Sequence, residues 1–416
     1  MGAHPDEGAP GQVGAARRWF GRTLAGIILA TFFSDCSHEM ATAVLPLYLA
    51  SVGLGPAALG VMEGVADFLV SLSKLGGGVL GHHVRRKRPW ATVGYLVTTL
   101  ATGAMGFVEA FKALLGLRGA AWVGRGFRGP LRDYLLADSV DPSHYGRAYG
   151  LERAGDMLGA VAGPLAATLL VWLGIELRSI ILLTFVPGLV AAGSMFLLVQ
   201  ERPGPVGPPA ARSRRGPRPR FPRAFWLFLI GVGLFGVGDF SRTFLIWLAA
   251  RALGEESTRT AGTVSVAVLL YTVHNLVSAG AALPIGYLGD RRSKLAVLLG
   301  GYILGVGTNL LLAVLSGSLS WLVVAIVFSG IYIAAEETLE KAAAAEFLPR
   351  ELRSLGFGIL ACVNAVGDMA SSLYVGAFLE AHQPRLAFGV AAVAGGAGVV
   401  WLLRIVKTAG PTGCAE

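Results

Sequence analysis

Roughly twenty consecutive apolar residues are enough to cross a bilayer as a helix, and such runs recur about twelve times along this chain. They fall near 24–50, 57–81, 90–110, 112–137, 146–173, 179–200, 224–250, 261–289, 295–315, 319–345, 354–379 and 386–406. Lipid offers no partner for backbone N–H and C=O groups, so each run must satisfy its own as a helix. The fold class that follows is all-α and polytopic. Composition agrees: of 416 residues, 54% are hydrophobic and 15% charged, where a soluble domain carries about a quarter charged. The 58 glycines suit close helix–helix contact in lipid. A net charge of +9 could indicate nucleic acid, but the basic residues sit in short loops between apolar runs, which is a membrane pattern. The cysteines Cys36, Cys362 and Cys414 are scattered and form no metal-knuckle spacing. No metal and no cofactor are expected, and without a nucleophile motif the chain does not read as an enzyme. The absence of a P-loop disfavours ATP-driven work.

The stretch 201–223, with its prolines and seven arginines, cannot pack as a helix and reads as a linker. The expected organisation is a polar tail over 1–23, six helices over 24–200, the linker, six more over 224–406, and a tail over 407–416. The first run has no cleavage-like site after it and is expected to remain as a membrane helix. One side of the layout holds roughly 22 Lys/Arg and the other roughly 5, which places the linker and both termini in the cytoplasm of an inner-membrane protein. The halves repeat weakly. At an offset of 208, Gly78 and His82 fall on Gly286 and Asp290, Asp67 on Asn275, and Arg132-Asp133 on Glu340-Lys341. Two pseudo-symmetric six-helix bundles are the layout this predicts.

About twenty ionisable residues interrupt the runs. Each would cost roughly 2.5–3.5 kcal/mol at the bilayer centre even on the lenient scale. They must therefore face one another or a wet chamber. In the first run Asp35, His38 and Glu39 share a helix face, and a carboxylate beside an imidazole can take up and release a proton; a network capping an interhelical contact is the other reading. In the second, Glu63 and Asp67 stand at i, i+4, with Lys74 beyond. The fourth carries Arg118, Arg125 and Arg132 at heptad spacing, with Arg128 beside them. These demand acidic partners or an anionic solute. Asp239 and Arg242 in the seventh run, His274 and Asn275 in the eighth, Glu336 and Glu337 in the tenth, and Asn364 and Asp368 in the eleventh complete a candidate cavity lining. In the fifth, Gly155, Gly159, Gly163 and Pro164 form a close-packing seam at which the proline can kink the helix.

The segment GYLGDRRSK, from Gly286 through Asp290 and Arg291 to Lys294, resembles the loop signature GxLxDRxGRR of the major facilitator superfamily. The copy GVLGHHVRRKR, from Gly78 through Arg86, is degenerate, with His82 in place of the signature aspartate. Arg118 resembles the early fourth-helix arginine linked in that superfamily with proton coupling. Gly159-x-x-x-Gly163-Pro164 looks like its fifth-helix antiporter motif. The resemblance implies two bundles of six helices rocking about a central site, with export of a small solute or drug in exchange for protons, by a monomer in the lipid bilayer. Three alternatives stay open: a divalent-metal or metal-chelate transporter using Asp35, His38 and Glu39, an organic-anion transporter using the arginines, and a non-transporting receptor or lipid flippase on the same fold.

Overall fold

A computed structural model describes residues 20–54, 56–201, 220–240, 244–245, 248, 266–315 and 319–408. Over those residues the chain is helical, with no strand. Thirteen α-helices are delimited among them. They are α1 (Arg22–Ser51), α2 (Pro56–His83), α3 (Arg88–Ala104), α4 (Phe111–Ser139), α5 (Tyr145–Trp172), α6 (Leu177–Leu183) and α7 (Phe185–Leu197). After residue 220 come α8 (Arg223–Gly236), α9 (Val266–Arg291), α10 (Lys294–Leu315), α11 (Leu319–Phe347), α12 (Arg353–Glu380) and α13 (Pro384–Thr408). The body of the expected linker, most of both tails, and Arg242 lie outside the described residues.

The expected sixth run is one span made of two helices, α6 and α7, which meet at Thr184. Pro187 has no N–H to give the Leu183 carbonyl, so the helical ladder cannot pass unbroken through this point. The Thr184 carbonyl there accepts from Ser37 Oγ of α1 at 2.8 Å. Among the described residues, six spans are long and apolar enough to cross a membrane by length and composition: residues 142–172, 177–197, 294–315, 320–347, 353–380 and 384–405. α4 is not among them, because its arginines interrupt every apolar window.

The distribution of polarity is inverted relative to a water-soluble protein. Trp172, Val393, Val314 and Leu373 are 69–80% exposed, whereas Arg118 is 0% and Asp35 2% exposed. Large apolar side chains on the outside with charges within are what a lipid solvent selects.

Glycines set how closely the helices approach. Gly155, Gly159 and Gly163 lay α5 against α1, and a β-carbon on Gly163 would lie 2.6 Å from the Cys36 carbonyl oxygen. The seam therefore fixes Asp35 and Glu39 against α5. The repeat also appears as a contact made twice. Gly286 of α9 meets the backbone of Gly146 at the start of α5. Adding or subtracting 208 gives the second crossing, where Gly78 of α2 meets Ser354 and Gly358 of α12, with β-carbons 2.9–3.0 Å from the opposing α-carbons.

Both crossings lie at one end of the molecule, the end that carries the Lys/Arg-rich loops, and polar contacts gather there. The buried Asp290 carboxylate accepts from the backbone N–H groups of Gly146 (2.7 Å) and Arg147 (2.9 Å) and from Arg147 Nε (3.0 Å). It thus satisfies free donors in the first turn of α5 and complements the helix dipole. Lys294 bridges it at 3.3 Å to Glu346 at 2.6 Å. At the symmetric place His82, which has no carboxylate to offer, donates from Nδ1 to the Glu351 carbonyl at 2.9 Å. Arg350 pairs with Asp138 at 2.6 Å. These ties join segments far apart in sequence and close this end.

Candidate functional site

A cavity of about 290 Å³ lies between the helices that precede residue 200 and those that follow it. Its floor is set back from the closed end. Asp133 and Lys341 line it, each six residues before its helix ends, or about 9 Å at 1.5 Å per residue. Asp368, toward the other end, is solvent-exposed.

α1 and α4 build one wall. Asp35 receives a 2.5 Å ion pair from Arg125. Arg128 donates to Ser34 Oγ at 2.6 Å and lies 3.9 Å over the Tyr95 ring. Arg132 bridges Asp133 (3.0 Å) and the buried Glu152 of α5 (2.8 Å). Arg153 of α5 holds Asp156 at 2.6 Å and reaches across to Glu337 of α11 at 3.5 Å. The opposite wall is acidic. Tyr332 donates to Asp239 at 2.8 Å. Glu340 accepts from Tyr302 and, at 2.6 Å, from Asn364. Lys341 lies 3.8 Å from Glu337. Glu336 and Asp368 also line this side. Ionised groups in low dielectric are costly unless they meet in this way, and the glycine seams above fix which helix faces turn inward.

Of the candidates read from sequence, Asp35, Arg125, Arg128, Asp239, Glu336, Glu337, Asn364 and Asp368 line the cavity together. Arg118 and His38 do not. Arg118 is fully buried, donates to Thr42 Oγ1 at 3.3 Å and sits 5.4 Å over Trp122. His38 meets the same Trp122 edge-on at 4.8 Å. His274 and Asn275 are buried away from the cavity, where His274 binds Ser329 Oγ at 3.1 Å and Asn275 Oδ1 at 3.3 Å. Glu39 stands beside Gly163 on the α5 seam. Glu63 and Asp67 fall on α2, but their side chains lie outside the described residues, as does Arg242. Gly286, Asp290 and Gly78 are at the closed end, while Arg86 and Arg291 are exposed. Gly155, Gly159, Gly163 and Pro164 belong to α5, the first three on its α1 face. The lining also takes Lys74, Arg132, Asp133, Arg153, Asp156, Glu340 and Lys341, of which the sequence points only Arg132 toward an acidic partner or an anionic solute. The signal for them is the same one, charge inside an apolar run. Among the described residues no group of three His, Cys, Asp or Glu side chains is arranged to hold a metal ion.

This architecture has relatives. The sequence profile described as Major Facilitator Superfamily matches residues 27–268 and 243–413. An uncharacterised MFS-type transporter of Methanocaldococcus jannaschii is 25% identical over 359 residues, covering 86% of this chain and 88% of that protein. A probable 4-methylmuconolactone transporter of Cupriavidus pinatubonensis is 30% identical over 140 residues, a third of each chain (33% and 32%). Among solved structures, the human organic anion transporter MFSD10 (TETRAN) superposes with a TM-score of 0.71 at 14% identity, covering 92% of this chain and 99% of that one. A bacterial homologue of the iron transporter ferroportin, in an outward-facing state, gives 0.66 at 15% identity, covering 92% and 98%. With its family profile matched along nearly the whole length, its apolar surface and its charge-lined central cavity, the chain belongs to the Major Facilitator Superfamily: it is a multi-pass membrane transporter of small molecules, and not an enzyme.

Proposed function

We propose that this transporter is a proton-coupled antiporter that exports a small solute or drug across the inner membrane by alternating access, working as a monomer. In this reading twelve spans form two six-helix bundles, over 24–200 and 224–406, joined by a cytoplasmic linker, with both termini in the cytoplasm. The doubled glycine crossing at an offset of 208 supports the two-bundle layout. The Lys/Arg asymmetry supports the orientation. The observation that carries the coupling is the 2.5 Å Asp35–Arg125 pair at the cavity wall. Protonating Asp35 removes the charge that holds Arg125, so a proton and a solute can exchange the same partner. The closed end is the cytoplasmic one, which makes this the outward-facing arrangement.

The test is proton movement in reconstituted vesicles carrying a pH-sensitive dye, driven by a panel of candidate solutes. Asp35→Asn and Arg118→Ala should abolish proton-coupled flux when compared at equal amounts of folded protein. Wild-type flux in both variants refutes these assignments. One second reading has an observation of its own. Arg128 and Lys74 line the cavity, and an organic anion could take their charge; the human structural neighbour is itself an organic anion transporter.

A further inference from the structure

The cavity is polarised. Lining residues before position 200 supply five cations, Lys74, Arg125, Arg128, Arg132 and Arg153, against three carboxylates. Among the described residues, those after it supply five carboxylates and one cation, Lys341. Counted formally over the described lining residues, two net positive charges on one wall face four net negative charges on the other.

The ion pairs, one of which joins Arg153 to Glu337 across the cavity at 3.5 Å, account for part of this difference. Arg125, Arg132 and Arg153 are held by Asp35, by Asp133 with Glu152, and by Asp156. That leaves Arg128 without an ion pair among the described residues and Lys74 facing Glu337 and Asp368 of the second wall. Arg128 is 3% exposed, it contacts a hydroxyl and an aromatic ring, and its Nη1 has no hydrogen-bond partner among the described residues. On the second wall Glu336 is 7% exposed, and its Oε2 likewise has no such partner. Glu340 beside it is held by neutral donors, Tyr302 and Asn364. Two buried groups of opposite sign on opposite walls, each with an unsatisfied atom, call for a ligand that satisfies both. An anion alone leaves Glu336 unsatisfied, and a cation alone leaves Arg128.

We propose that the solute is a small zwitterion, its anionic group held by Arg128 with Lys74 and its cationic group by Glu336, with Trp122, Phe357 and Leu360 against its apolar part. This rests on the transport reading above and names its substrate class. Guanidinium–carboxylate recognition is planar and bidentate, so a carboxylate is the anion it favours, and an ammonium is the natural partner of a glutamate.

The test is equilibrium calorimetry on the purified full-length protein in lipid nanodiscs. The probes are unbranched amino carboxylates from glycine to aminooctanoate, together with leucine and phenylalanine. Each is compared with its N-acetyl derivative, which is only an anion, and its amide, which is only a cation. Each lost charge removes a charge-assisted hydrogen bond, so at least one zwitterion should bind about tenfold or more tightly than both its single-charge analogues. Glu336→Gln should erase the preference over the N-acetyl form, and Arg128→Gln the preference over the amide. The wild-type preference is decisive even if a variant fails to fold. The proposal is overturned if no zwitterion binds, or if an analogue of one charge binds as tightly; tight binding of the N-acetyl form would point instead to an organic anion with protons neutralising the acidic wall. No gradient is imposed, so failure here leaves proton coupling standing, whereas zwitterion binding without proton movement in vesicles would remove the coupling and keep the site.

Discussion

Replacing Gly286 by valine should shift the molecule between its two conformations rather than only weaken it. Gly286 lies on the backbone of Gly146, and no β-carbon fits there without moving α9 away from α5. Forcing extra methyl groups into so close a contact costs about 1–3 kcal/mol. If the closed end exists in only one of two states, the whole of that cost falls on that state. A difference of about 1–3 kcal/mol is a factor of about 5–150 in the equilibrium. An alternative state at about 1% would then rise to between about 5% and 60%. Spin labels at the exposed positions Ser143 and Arg292, flanking the crossing, would report this by pulsed electron resonance as a second, longer distance. Gly280→Val is the control, because a β-carbon on that glycine of the same helix meets nothing within 4 Å. A lowered melting temperature with an unchanged single distance would refute the reasoning, since the crossing would then be a fixed structural joint.

Further outcomes follow from the ion pairs. Arg125→Gln leaves Asp35, 2% exposed, without its 2.5 Å partner, and breaking a buried pair this way costs about 3–5 kcal/mol; adding Asp35→Asn should recover most of that loss in a thermal melt. Asp290→Ala removes the acceptor of two backbone donors at the start of α5, which should lower stability by about 1–2 kcal/mol and raise proteolytic cleavage in the loop before α5.

The all-helical, membrane-crossing character is legible because lipid imposes a length and a composition that no soluble fold shares. So is the need for a charged interior, which follows from desolvation cost alone. What the sequence does not disclose is azimuth. Arg118, Arg125 and Arg132 are spaced for one face, yet Arg125 and Arg132 line the cavity while Arg118 points to Thr42 and Trp122. Spacing fixes which residues of a helix are neighbours but not what the facing helix places opposite them. His274 and Asn275 read as lining for the same reason, and Ser329 on α11, a residue without a signal of its own, draws His274 elsewhere. The break at Thr184 has a local sign in Pro187, but its partner, Ser37, comes from 147 residues away. The Gly286–Gly146 and Gly78–Gly358 crossings are half legible: the repeat marks one glycine of each pair, and only the fold supplies the other.

The central claim is that the charged residues line a hydrated chamber reachable from each side of the membrane in turn. Ala361 of α12 lines that chamber, and a cysteine there, in a background with Cys36, Cys362 and Cys414 changed to serine, can be probed with a membrane-impermeant thiol reagent. The account predicts labelling from outside in the wild-type background, and added labelling from the cytoplasmic side when Gly286→Val opens the closed end. A cysteine at position 361 that resists the reagent from both sides in both backgrounds would contradict it.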